Sequence, residues 1–191
     1  MTDYTSLTSV KLALGSNQTT DDTLLSALIT QASRTIDRYC VGVVGCDNYF
    51  ARETLTDVLM AGVVSRDGML LCYPRKAVVE SVSALAYRSS SQDTWQEIDP
   101  ARVEIGGYRV SAAGVDAVGT VRVKISFIGG FSLLPDDLVN AATLLVVRFY
   151  REVKSGLGDS IGVAELGTLT YTKALPVRVI EMLKPYKRVI A

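Results

Sequence analysis

The 191-residue chain contains no histidine. That removes the commonest general base, the Ser-His and Cys-His nucleophile pairs and the commonest metal ligand together. An enzyme built from this chain would work with carboxylates, lysine, tyrosine or a bare thiolate. An excess of one charge is missing too: Lys+Arg and Asp+Glu both number 20, so the formal net charge is zero. A free nucleic-acid-binding protein usually shows a basic excess. A neutral chain has little colloidal repulsion, which a subunit of an assembly tolerates. Cysteine is sparse, at Cys40, Cys46 and Cys72. With no signal-peptide pattern in the polar Met1–Thr20 segment, three thiols suit a reducing cytosol better than a disulfide framework. They also fall short of the four ligands of a structural zinc site. The longest apolar stretches, such as 141–147, are far below the ~20 residues that cross a bilayer. The expectation is therefore no catalytic residue, no cofactor, no metal and no membrane partner.

What is present reads as a globular chain: 48% hydrophobic and 21% charged residues exclude a disordered class. Residues 5–14 place Leu7, Val10, Lys11 and Leu14 at helical spacing, and Gly15 supplies a stop. Thr20-Asp21-Asp22 opens a second helix to about Tyr39, with Leu24, Leu25, Leu28, Ile29, Ala32 and Ile36 as its apolar stripe and Gln31, Arg34 and Arg38 facing elsewhere. The two aspartates are read as a charged first turn rather than an acid/base or cation pair. Seven β-rich runs follow, at 53–59, 69–73, 78–87, 94–98, 102–105, 108–111 and 120–128, punctuated by glycines. Their alternation reads as a small antiparallel sheet or barrel. In one run Val82, Ala84 and Ala86 oppose Ser81, Ser83 and Leu85; in the last, Val121, Val123, Ile125 and Phe127 oppose Arg122, Lys124 and Ser126. Residues 89–93 look like a hairpin tip.

A third helix starts at Pro135-Asp136-Asp137, behind the pair Gly129-Gly130. Glycines between a strand and a helix can cradle phosphate or simply turn a corner. The helix is apolar nearly all round, broken only by Asn140 and Thr143 between Leu138 and Val147. A helix of that kind must be buried all round, which in so small a chain points to neighbouring subunits. Residues 155–172 hold four glycines and read as a mobile loop with a strand at 167–172. GLGDSIG at 156–162 lacks the lysine and the following helix of a phosphate loop. Pro176 opens a last helix with Val177, Ile180 and Leu183 as its apolar face, ended by Pro185 and a basic tail.

The fold expected is α+β: a small bundle of about four helices with an antiparallel β-rich block inserted between the second and third. It is read as one domain over 1–191, helical in 1–41 and 135–191, with the insertion at 42–128.

Four stretches carry a resemblance: the helix-break-helix opening "YTSLTSVKLALGSNQTTDDTLLSALITQASRTIDRYC"; "LLCYPRKAVVESVSAL" at 70–85; "VKISFIGGFSLLPDDLVNAATLLVVRFY" at 123–150; and "GLGDSIGVAELGTLTYTKALPVRVIEMLKPYKR" at 156–188. In this order they resemble the head-tail connector (adaptor, neck or head completion) proteins of long-tailed bacteriophages. The resemblance implies a structural virion protein made in the host bacterial cytoplasm and lodged at the capsid-tail junction. It would form a ring, usually of twelve subunits, beneath the portal, joined to a tail-side neck or tail-completion protein. DNA would pass through without sequence-specific binding. The β-rich block is longer than in the smallest members, which leaves its role open.

Two sets of residues follow from the reading. Leu138, Ala142, Leu145 and Phe149, with Leu24 and Leu28, are candidates for the ring interface. Val177, Ile180, Leu183, Lys184, Tyr186, Lys187 and Arg188 are candidates for portal docking. The alternatives are another neck or tail-completion role, or a small cytosolic ligand-binding module or histidine-independent enzyme using Asp136 and Asp137, or Cys40 or Cys46 as a thiolate.

Overall fold

The computed structural model describes residues 2–42, 48–155 and 175–188, together with the backbone of 160–163 and 167–170. Two compact units emerge: Tyr49–Leu133, and Met1–Asn48 together with Leu134–Ala191.

The Tyr49–Leu133 unit is an antiparallel sheet of seven strands. They are β1 (Glu53–Val64), β2 (Leu70–Cys72), β3 (Val79–Arg88), β4 (Gln96–Ile98), β5 (Val103–Gly106), β6 (Arg109–Ala112) and β7 (Gly119–Gly129). Their order across the sheet is β4-β3-β7-β1-β2-β6-β5. The sheet curls until its far end nearly meets β3: the Val79 amide donates to the Gly107 carbonyl, beside β5, at 2.8 Å. This near-closure makes a barrel-like interior that side chains fill.

Alternation builds that interior. On β7, Val121, Val123, Ile125 and Phe127 are buried, while Arg122 and Thr120 are exposed. β3 departs from its expected faces. Register shifts between Val79 and Ser81, and between Val82 and Ala84, turn Leu85 and Tyr87 inward and leave Ala84 exposed. A shifted register moves every following side chain to the other face, and strict alternation does not reveal it. The tip at 89–93 forms as expected: the Ser90 amide donates to Asp93 Oδ2 at 2.7 Å.

The second unit holds the helices α1 (Leu7–Leu14), α2 (Asp22–Val41), α3 (Asp136–Ser155) and α4 (Val177–Leu183). Gly15, left-handed at φ 66°, closes α1. Within this unit α2 packs on α3, and α3 also meets α1 and α4. A two-stranded hairpin, β8 (Ser160–Val163) with β9 (Gly167–Thr170), lies in the stretch expected to be a loop with a strand at 167–172; β9 falls within that strand, and β8 was not expected. The other residues of 156–174 lie outside the described residues.

The expected helical bundle with an inserted β block is corrected. Among the described residues the protein is mostly β, a nearly closed seven-stranded antiparallel barrel-like sheet with four α-helices. The reason is length and packing. α1 has 8 residues and α4 has 7, too few to complete a bundle. β1, β3 and β7 run for 12, 10 and 11 residues and build a core of their own.

Candidate functional site

Buried ionisable groups are the first place to look for chemistry, and the two clusters among the described residues hold the fold together. In the first, Asp37 is 1% exposed and Arg34 8%. Both sit on α2, three residues apart, and pair at 3.0 Å. Asp37 also accepts the Tyr4 hydroxyl and, at 3.0 Å, the Asn48 amide. Arg34 donates to Asn48 Oδ1 at 3.0 Å and to the Thr2 carbonyl at 2.8 Å. Ser33 Oγ accepts the Tyr4 amide at 3.0 Å. The set straps the N-terminal segment onto α2. In the second cluster, Lys76 is 2% exposed and donates to the Ala51 carbonyl at 3.0 Å and Glu53 Oε2 at 2.9 Å. Each charge is matched, as burial requires.

The aspartates at the helix starts are used similarly. Asp21 accepts Tyr150 Oη at 2.6 Å and Lys154 Nζ at 2.8 Å, tying the start of α2 to the end of α3. These donors, Lys154 first, hold the Asp21 carboxyl below its ordinary range. With its side chain so engaged, Asp21 makes no cap bond, although it occupies the N-cap position where Thr20 was expected to serve. Asp22 pairs with Lys11 at 2.5 Å. Asp136 and Asp137 are exposed at the start of α3. Among the described residues no cluster of metal-ligating side chains occurs, and no helix is long and apolar enough to cross a membrane.

Gly129 and Gly130 resolve as a crossing of backbones. Gly130 has φ +97°, and a Cβ there would lie 2.1 Å from the Ala51 carbonyl oxygen. Its amide donates to the Val78 carbonyl at 2.8 Å, and the Phe131 amide to the Phe50 carbonyl at 2.8 Å. The amides that would cradle a phosphate are therefore occupied by backbone carbonyls.

Cys40 and Cys72 are buried, and burial pushes both thiols up to about 12. A nucleophilic cysteine needs the opposite shift. At pH 8 a disulfide-exchange reagent is expected to leave both unmodified in the folded protein and to label them on denaturation. Peptide mass mapping checks this, and labelling of either at native rates comparable to a free thiol would refute it. Cys46 lies outside the described residues.

The assembly candidates fall into two groups. Leu28 is 6% exposed, and Leu138, Ala142 and Leu145 are 0%, so all four are enclosed within the chain itself. Leu24 and Phe149 are half-buried. The helix that looked apolar all round buries Leu138, Ala141, Ala142, Leu145 and Val146 and leaves Leu144 and Val147 half-covered. On α4 the inward residues are Val179 and Leu183; of the expected face only Leu183 is fully buried, Ile180 is half-buried and Val177 is 72% exposed. Beyond α4, Lys184 and Lys187 are exposed and Tyr186 half-buried. The Lys187 ammonium lies 5.3 Å from the Tyr39 ring centre, and the Arg188 amide donates to the Cys40 carbonyl at 2.8 Å.

No curated protein matches the chain. A sequence model of the head completion protein family matches residues 3–189, from the strap through both units to the basic tail. With that coverage the chain belongs to the head completion protein family, structural proteins of the phage head.

Proposed function

We propose that this protein is a ring-forming connector that seats on the capsid portal through α4 and the segment after it, receives a tail-side protein, and lets DNA pass. Membership in the family gives the coarser role, a structural and virion-associated part in head completion. The observation that carries the finer reading is the division of α4. Val179 and Leu183 anchor the helix in its own chain, while Val177 is 72% exposed and Lys184, about two turns on, is exposed too. An exposed apolar anchor with a basic rim is the composition of a docking surface. The ring would use two different faces of each subunit, since cyclic closure of this kind is heterologous. Leu24 and Phe149, half-buried, and Leu12 and Val153, exposed at 84% and 54%, are among the apolar side chains of the helical unit left for neighbours. Leu28, Leu138, Ala142 and Leu145 would shape that interface from beneath.

The test is binding to the cognate portal, with subunits counted by native mass spectrometry. The parent chain is expected to add to the portal in multiple copies. Val177→Asp combined with Lys184→Glu should melt like the parent yet lose most portal binding. Equal binding by the double variant would overturn the docking assignment, and a single bound copy would overturn the ring.

A further inference from the structure

One surface of the β unit is not explained by packing. Arg88 on β3 and Arg122 on β7 are direct cross-strand partners. Like charges placed opposite each other weaken a sheet unless something relieves them. Among the described residues neither has an acidic partner within ion-pair distance. Arg88 donates to the Ser91 carbonyl at 3.1 Å through Nη1, while its Nε is buried and without an acceptor. Lys124, two residues along β7 on the same face, reaches Asp57 only at 3.8 Å. Trp95 completes the patch. The Arg88 guanidinium lies 4.5 Å from its ring centre and the Lys124 ammonium 5.5 Å. Cation–π contacts of this kind hold cations in place without neutralising them. In a chain of zero net charge, Arg88 and Arg122 carry two positive charges without an acidic partner among the described residues, next to Lys124 with its long pair to Asp57.

We infer that the Arg88–Arg122–Lys124 face beside Trp95 contacts the phosphate backbone of duplex DNA. The inference rests on the reading that DNA passes this protein. Planar guanidinium forks match the paired oxygens of a phosphodiester. Next to them a cleft of about 310 Å³ is lined by Leu59, Ala61, Ser89, Thr120 and Arg122. Its hydroxyl and apolar lining beside a guanidinium suits alternating sugar and phosphate. An acidic peptide fits less well. β3, β7 and β1 are interior strands whose backbone groups are already paired, so a peptide lying on this face would find no ladder to join. Three cations make a weak contact. Each neutralised phosphate contributes about −0.9 to the slope of log affinity against log salt, so a slope of about −2 to −3 is expected. Such a contact guides DNA and releases it.

Trp95 is the only tryptophan, so its emission reports this site directly. The free chain is titrated with a short duplex over a range of salt, and with polyglutamate of equal charge. Duplex should change Trp95 emission with the stated slope, and polyglutamate should not reproduce it. Arg122→Gln, an exposed position on β7, should melt like the parent and lower the slope by about 1. An unchanged slope in that variant, equal binding of polyglutamate, or no duplex binding at low ionic strength would each overturn the inference. The titration uses the free chain, so its outcome is independent of whether the protein binds a portal.

Discussion

Replacing Asp37 by alanine is expected to destabilise the helical unit by about 3–5 kcal/mol, because it leaves the Arg34 charge buried without its carboxylate. Asp37 is 1% exposed and receives Arg34, the Tyr4 hydroxyl and the Asn48 amide. Its loss also takes an acceptor from the Tyr4 hydroxyl and the part-buried Asn48 amide, and a buried polar group left without its partner costs about 1–3 kcal/mol. At roughly 2–4 °C per kcal/mol for a chain of this size, the melting temperature should fall by about 6–20 °C. The signature that separates a pairing effect from plain loss of contacts is the double variant Arg34→Met, Asp37→Leu. Removing both charges at similar volume should recover most of the loss. A cost below about 1 kcal/mol for Asp37→Ala would show that the strap from Thr2 to Tyr4 is not held by this network.

Gly130→Ala is the second large effect, expected to destabilise the β unit by about 3–5 kcal/mol through backbone strain and overpacking combined. Two penalties coincide there. The residue has φ +97°, a conformation L side chains rarely adopt, and the added methyl would meet the Ala51 carbonyl oxygen at 2.1 Å, with the Ala51 carbonyl carbon at 2.4 Å and the Arg52 amide nitrogen at 2.7 Å. All three are backbone atoms, so no rotamer change relieves the clash. The damage should spread to the parallel bridge between Ala51 and Phe131 and to the stacked rings of Phe50 and Phe131, whose centres are 6.4 Å apart. Gly15→Ala is the comparison: φ is +66°, but no atom lies within 4 Å of the added Cβ, so it should cost about 1 kcal/mol. If the two substitutions cost the same, the crossing is looser than its distances imply.

The sheet was legible in the sequence because its signals are local. Each of the seven runs bounded by glycines or turn residues became a strand, and Val121 to Phe127 alternate as drawn. The faces of β3 were not, since a bulge adds one residue to a strand without changing its composition. The third helix pointed to neighbouring subunits because a buried helix looks alike whether a neighbouring subunit or its own chain covers it. Leu138, Ala142 and Leu145 are enclosed by residues of their own chain. Arg34 was assigned to the outer face of α2, yet a distant segment, Thr2 to Tyr4, folds over it. Its spacing from Asp37 was the available signal, an i,i+3 pair on a helix. The partners of Asp21 lie more than a hundred residues away in the chain, beyond any local pattern. The basic face escaped notice for a related reason: Arg88 and Arg122 become neighbours only when β3 pairs with β7.

The helical unit draws on both ends of the chain, Met1–Asn48 and Leu134–Ala191, whereas the sheet is one continuous stretch. During synthesis α2 therefore leaves the ribosome long before α3, its packing partner, exists. The intervening sequence is roughly 100 residues, which at 5–20 residues per second is about 5–20 s. Throughout that interval the Leu25, Leu28 and Ile29 side of α2 lacks the surface that later covers it, while the sheet gains all of its own strands by the end of it, before α3 is made. Nascent-chain stability thus rests on the β unit, and the helical unit closes only as the C-terminal third is released.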